Sequence, residues 1–206
     1  EMWLSMYKDY SEMQLDIITE FFSIGVGNAA TSLSQLINHP VVMTVPLVET
    51  MDYSELFEGI MSDESSVNAA ITMIHGELEG AFLFVIRDDE ADKLVSLMLG
   101  ETQGDHEMAA SAFIELVNII VNTFLNAISQ VFDVTVTTGI PFMIEDTFGA
   151  IISSIYMEQG VYEENLFIIK NEFSYLGERL DASLYFIPKQ GVLDELLNGI
   201  TTEKEN

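Results

Sequence analysis

The segment Ser111 to Phe124, SAFIELVNIIVNTF, is apolar except for polar residues that recur every three or four positions. Ser111, Glu115, Asn118, Asn122, Asn126 and Ser129 fall on one face of a helix. Such a stripe is ordinarily the solvated side of an amphipathic helix. Two features point elsewhere. In a strongly acidic chain, Glu115 is the only carboxylate of this face. Asparagine is also a poorer helix former than Glu, Lys or Gln, by roughly a few tenths of a kcal/mol per position. Glu115 and Asn118, at i and i+3, project together from one rigid helix and can enter a partner's pocket as a pair. The carboxylate can dock a cation through a charge-assisted bond. The amide presents a donor and an acceptor side by side, as orienting a small molecule requires.

The surrounding elements follow from periodicity and stop signals. Residues 1–10 show no clear period and are expected to form an arm. Ser11 with Gln14 fits a helix N-cap, and apolar residues from Met13 to Ile24 continue in a helical stripe. Gly25-Val26-Gly27 is expected to break that helix, and Asn28 to Ile37 to form a second one ended by Pro40. The same glycines before a helix could suggest a phosphate loop. No strand precedes them and no P-loop lysine follows, so a tight turn is the expectation. Val41–Val48 reads as a strand carrying Pro46, and Met51–Ser66 as an irregular acidic excursion. Val67–His75 and Leu78–Ile86 read as a hairpin. Asp88 is placed as the cap of a helix that stops at Gly100, and Glu101–Asp105 as a linker. A long helix then covers about Glu107 to Phe132. Strands are expected at Val134–Thr138, Ala150–Tyr156, Asn165–Asn171 and Ala182–Ile187, with a turn at Glu158–Glu164 and a last helix over Gly191–Leu197.

The order of elements repeats. A shift of 95 residues carries Glu12 onto Glu107, Glu20 onto Glu115, Ser34 onto Ser129 and Pro46 onto Pro141. AFLFVI at Ala81–Ile86 likewise resembles ASLYFI at Ala182–Ile187. The expectation is an α+β fold over residues 1–206, built of two homologous halves at about 11–100 and 106–200. Its mostly antiparallel sheet would carry the long helices on one face. Two separate domains are the less favoured arrangement, because the linker is short.

Each half holds an acid or hydroxyl, a Glu four residues further on, a small polar residue, and a proline at a fixed distance. Ser111-x3-Glu115-x2-Asn118-x22-Pro141 is complete, whereas Asp16-x3-Glu20-x2-Ser23-x22-Pro46 has Ser23 in place of the Asn. This two-copy pattern resembles the CheC/CheX/FliY phosphatases of bacterial and archaeal chemotaxis. The segment IGVGNAATSLSQL, Ile24 to Leu36, also looks like the first half of CheC and FliY. Two copies on about 200 residues look most like CheC.

The resemblance implies hydrolysis of the aspartyl phosphate of a CheY-type receiver. It implies that Asn118 orients the attacking water and that Glu115 pairs with a receiver lysine. An acyl phosphate is already activated, so positioning a water in line can suffice without a protein nucleophile. A second carboxylate at the Asn position would repel the phosphoryl group. Mg2+ is then expected in the receiver and no metal or cofactor in this chain, whose His39, His75 and His106 are scattered. The Glu20–Ser23 site is expected to be weak or inactive, because a hydroxyl is shorter than an amide and lacks its paired geometry. The alternative implied by the family is a mainly non-catalytic adaptor that binds CheD or flagellar-switch proteins.

Composition bounds the partners. Seven Lys and Arg stand against 34 Asp and Glu, a formal net charge of -27. Such a polyanion repels nucleic-acid phosphates and anionic lipids. Cysteine is absent, which excludes disulfides, thiol catalysis and zinc-thiolate sites. No run of about 18 uncharged apolar residues occurs, so no membrane-spanning helix and a cytoplasmic location are expected.

Overall fold

The computed structural model of the chain describes residues 10–86, 88–99, 106–158 and 165–203. Residues 1–9 of the expected arm, the linker at 101–105 and most of the acidic turn at 158–164 lie outside them. Helix α1 (Glu12–Ile37) opens with a capping box between Ser11 and Gln14 and closes on Asn38 in the left-handed conformation. Strands β1 (Val41–Met43) and β2 (Leu47–Asp52) follow, then helix α2 (Tyr53–Gly59), the hairpin β3 (Ser66–Gly76) and β4 (Gly80–Ile86), and helix α3 (Asp88–Leu99). The second half gives α4 (His106–Phe132), β5 (Val136–Thr138), β6 (Phe142–Thr147), α5 (Phe148–Glu158), β7 (Asn165–Tyr175), β8 (Glu178–Pro188) and α6 (Val192–Glu203). Each element of the first half thus has its counterpart in the second.

All eight strands join one antiparallel sheet, in the order β1-β7-β8-β4-β3-β5, with β2 also on β7 and β6 also on β3. The pseudo-two-fold passes between β4 and β8. The halves exchange edges: β1 and β2 pair with a strand of the second half, and β5 and β6 with a strand of the first. Neither half can form its own sheet edge without the other.

The two faces of the sheet are both covered. Alternate strand residues, such as Phe82, Phe84 and Phe186, meet α1, α3, α4 and α6 in the larger core. The intervening ones, such as Leu83, Val85 and Tyr185, meet α2 and α5 in the smaller core. The long helices therefore share one face, as expected, and the opposite face carries two short helices that the sequence reading missed.

Four local expectations are corrected. Gly25-Val26-Gly27 does not break α1, which runs unbroken for 26 residues. Gly25 is instead a close approach: a Cβ there would lie 2.6 Å from the Phe124 ring of α4. The phosphate-loop reading fails with the turn, because these residues lie in a helix interior. The strand at Val41–Val48 is two strands, interrupted around Pro46. Its proline offers no N–H to the ladder, so it stands where pairing shifts along β7.

The acidic excursion at Met51–Ser66 contains the end of β2 and a capped helix, α2, in which Asp52 and Glu55 form a capping box and Leu56 is fully buried. Ala150–Tyr156 is not a strand but the middle of α5. Phe148, Ile151, Ile152, Ile155 and Tyr156 are its buried residues, and their spacing is helical. The isoleucines suggested β structure, and packing overrode that preference. By length and composition alone α4 is apolar enough to cross a membrane. In this fold its apolar stripe, including Leu116, Ile120 and Phe124, is buried in the larger core.

Candidate active face on the long helices

Helices α1 and α4 form the scaffold of both motifs. Phe21 stacks on Phe132 with ring centroids 4.4 Å apart, Phe22 meets Phe124 at 5.6 Å, and Phe124 lies over Gly25. Early residues of α1 thus face late residues of α4, so the helices run antiparallel. On that register Ser23 lies opposite the region of Asn126. Asn118 stands eight residues away along α4, about 12 Å at 1.5 Å per residue. The two motifs are separate patches on one helical layer.

In the second half, Ser111 and Glu115 are exposed and Asn118 is half-buried. The apolar neighbours Leu116 and Val117 are buried, so packing fixes the helix rotation and leaves Glu115 and Asn118 outward. Among the described residues, no hydrogen bond or ion pair engages the Glu115 carboxylate. The Asn118 side chain is engaged on one side. Asn122 Nδ2 donates to Asn118 Oδ1 at 2.7 Å and to the Asn118 backbone carbonyl at 2.8 Å. Thr138 Oγ1, from β5, donates to Asn122 Oδ1 at 3.2 Å. Asn122, to which the sequence assigned no role, is therefore bonded to the candidate amide.

In the first half, Asp16 and Glu20 are exposed and Ser23 is half-buried. The Ser23 hydroxyl turns inward and donates to the Thr19 carbonyl at 2.7 Å. It closes on its own helix, as serine in a helix interior commonly does.

The prolines of both motifs, Pro46 and Pro141, are buried. Each lies between two short edge strands that pair with one long strand, and exposed apolar residues flank each: Val45 and Leu47, then Ile140 and Phe142. Pro141 follows the strand that brings Thr138 beside α4.

A cavity of about 240 Å³ lies between α3, α4 and β6, lined by Ala91, Asp92, Val95, Phe113 and Glu145 among others, and neither Glu115 nor Asn118 lines it. Among the described residues, no group of three or more His, Asp or Glu is arranged to hold a metal ion. Side chains raised on a rigid helix suit insertion into another protein's site better than capture of a small ligand.

The family model for the chemotaxis phosphatase CheX matches residues 68–160. The CheY-P phosphatase CheC of Bacillus subtilis is 25% identical over 201 residues, which span 94% of this chain and 96% of that protein. The family match, the relative and the solved structures together support a CheC-type chemotaxis phosphatase family for this chain. Its fold is similar to the crystal structure of FliY from Thermotoga maritima, with a TM-score of 0.74 at 18% identity, over 95% of this chain and 99% of that one. It is also similar to CheX in the CheX–CheY–BeF3–Mg2+ complex from Borrelia burgdorferi, with a TM-score of 0.57 at 14% identity, over 84% of this chain and 99% of that one. The edge-exchanged sheet under two long antiparallel helices is the architecture that these matches share with this chain.

Proposed function

We propose that this protein hydrolyses the aspartyl phosphate of a CheY-type receiver, with Glu115 and Asn118 as its single competent site. The observation that carries the reading is the pair itself. An exposed carboxylate and a half-buried amide stand one helical turn apart on a helix whose rotation is fixed by packing, and neither lines the cavity between α3, α4 and β6. The family match, the CheC relative and the existence of a CheX–CheY complex support the substrate class.

In this mechanism α4 enters the receiver's phosphorylation site. Glu115 pairs with a receiver lysine and sets the docking register. Asn118 holds a water in line with the acyl phosphate. The water attacks phosphorus, the P–O bond to the receiver aspartate breaks, and inorganic phosphate leaves. Mg2+ belongs to the receiver and neutralises the phosphoryl oxygens. This chain supplies position, and a neutral amide does so without repelling the incoming anion.

The test is phosphate release from a phosphorylated CheY-type receiver. The unmodified chain accelerates release, and Asn118→Ala abolishes most of the acceleration. Equal loss from Ser23→Ala would show that both halves act. Stable binding to CheD or a switch protein, with no acceleration of release, would replace this reading with an adaptor role.

A further inference from the structure

We infer that Asn122 and Thr138 are positioning residues that lock the Asn118 amide in one of its two orientations; the inference rests on the proposed role of Asn118. An asparagine amide can rotate by half a turn, exchanging its donor and acceptor. An in-line water must turn a lone pair to phosphorus, so its hydrogens need acceptors at fixed places. A flipped Asn118 presents a donor where that acceptor must be.

The direction of the relay is set by one group that cannot reverse. The backbone carbonyl of Asn118 only accepts, so the Asn122 side chain must turn its nitrogen toward it. The second proton of that nitrogen then meets the Asn118 side chain, which must offer its oxygen. Asn122 is left with its own oxygen facing β5, where the Thr138 hydroxyl donates to it. Asn118 keeps one lone pair of Oδ1 and both protons of Nδ2 for the receiver's site. Thr138 is itself held by pairing with Ile74 of β3, so the relay is anchored to the sheet.

The internal repeat supplies a comparison. At the same offset of 95, Asn118, Asn122 and Thr138 correspond to Ser23, Gly27 and Met43. All three polar members are absent from the half that lacks the amide. Gly27 has nothing within 4 Å of where its Cβ would stand, so space does not exclude a side chain there.

The experiment uses the full chain and a phosphorylated CheY-type receiver on which that chain is active. Asn122→Ala should lower kcat about tenfold with KM and affinity for the BeF3-bound receiver unchanged, the effect of a misaimed group rather than a lost contact. Alanine favours the helix, so α4 should not unfold. Thr138→Val, which removes the hydroxyl and keeps the shape, should lower kcat about threefold, and Thr138→Ser should restore it. In an Asn118→Ala background, Asn122→Ala should change the residual rate less than about twofold, because the two act as one unit.

Two results overturn the relay while leaving the proposed function standing. One is loss of activity in Asn118→Ala with normal kcat in Asn122→Ala. The other is an Asn122→Ala defect confined to KM and receiver affinity. A normal rate in Asn118→Ala itself overturns the proposed function and the relay together.

Discussion

The two halves place the same carboxylate at the same point of the same helix and differ in what stands one turn later. Glu20 and Glu115 are both exposed. Beyond them, Ser23 folds its hydroxyl back on the Thr19 carbonyl, whereas Asn118 is held by Asn122 and through it by Thr138. Under the proposed mechanism, the difference separates two tasks that the motif combines. Docking needs an outward charge on a rigid helix, and both halves have one. Aiming a water needs an amide with a fixed orientation, and only the second half builds the polar support for it.

The largest effect that bears on this contrast is expected for Asn118→Ala. Phosphate release from the receiver should fall by about a hundredfold or more, the range seen when one transition-state partner is removed. Ser23→Ala in the same assay should change it less than about twofold. A comparable loss at Ser23 would erase the distinction between the halves.

Next in size is Glu115→Gln, which keeps the shape and removes the charge. KM should rise about tenfold while kcat changes little, and the defect should shrink as salt weakens docking of the unmodified chain. A fall confined to kcat would make Glu115 part of the chemistry instead.

The contrast can also be tested by construction. Ser23→Asn alone should leave an Asn118→Ala chain nearly inactive, because its amide is free to flip. Ser23→Asn with Gly27→Asn should recover activity a few-fold above that background, with roughly the gain expected of an aimed group. Equal recovery by the single and the double variant would show that orientation is not what the first half lacks.

The smallest effects separate the two glycines of α1. Gly25→Ala drives a Cβ into the Phe124 ring and should lower stability by about 1–3 kcal/mol in a denaturant titration. Gly27→Ala meets open space and should raise stability by about 0.5–1 kcal/mol. Stabilisation by both would mean that the helices do not approach closely at Gly25.

Much of this was legible before any coordinates. The N-cap at Ser11, the β3–β4 hairpin, the long helix α4 and the final helix follow from local signals, because caps, alternation and helical spacing act within a few residues. The repeat was legible too, and it held more than was read from it. Carrying β2 forward by 95 residues lands on β6, and carrying α2 forward lands within α5, where a strand was expected. Isoleucine favours strands, but that preference is weaker than the burial of helically spaced residues against a sheet, which made Ala150–Tyr156 part of α5.

By itself the sequence determined the class of fold, the two-fold repeat, the spacing of Glu115 and Asn118 and the serine that replaces the Asn at Ser23. All of these are matters of residue type and spacing along one chain. Only the tertiary structure decided that Gly25 is a helix contact, that each half lends its edge strands to the other, and that Thr138 stands beside Asn122. Those facts depend on which distant segments meet. A spacing of 16 residues between helix and strand has no local signature, and so the relay behind Asn118 appears only when β5 is laid against α4.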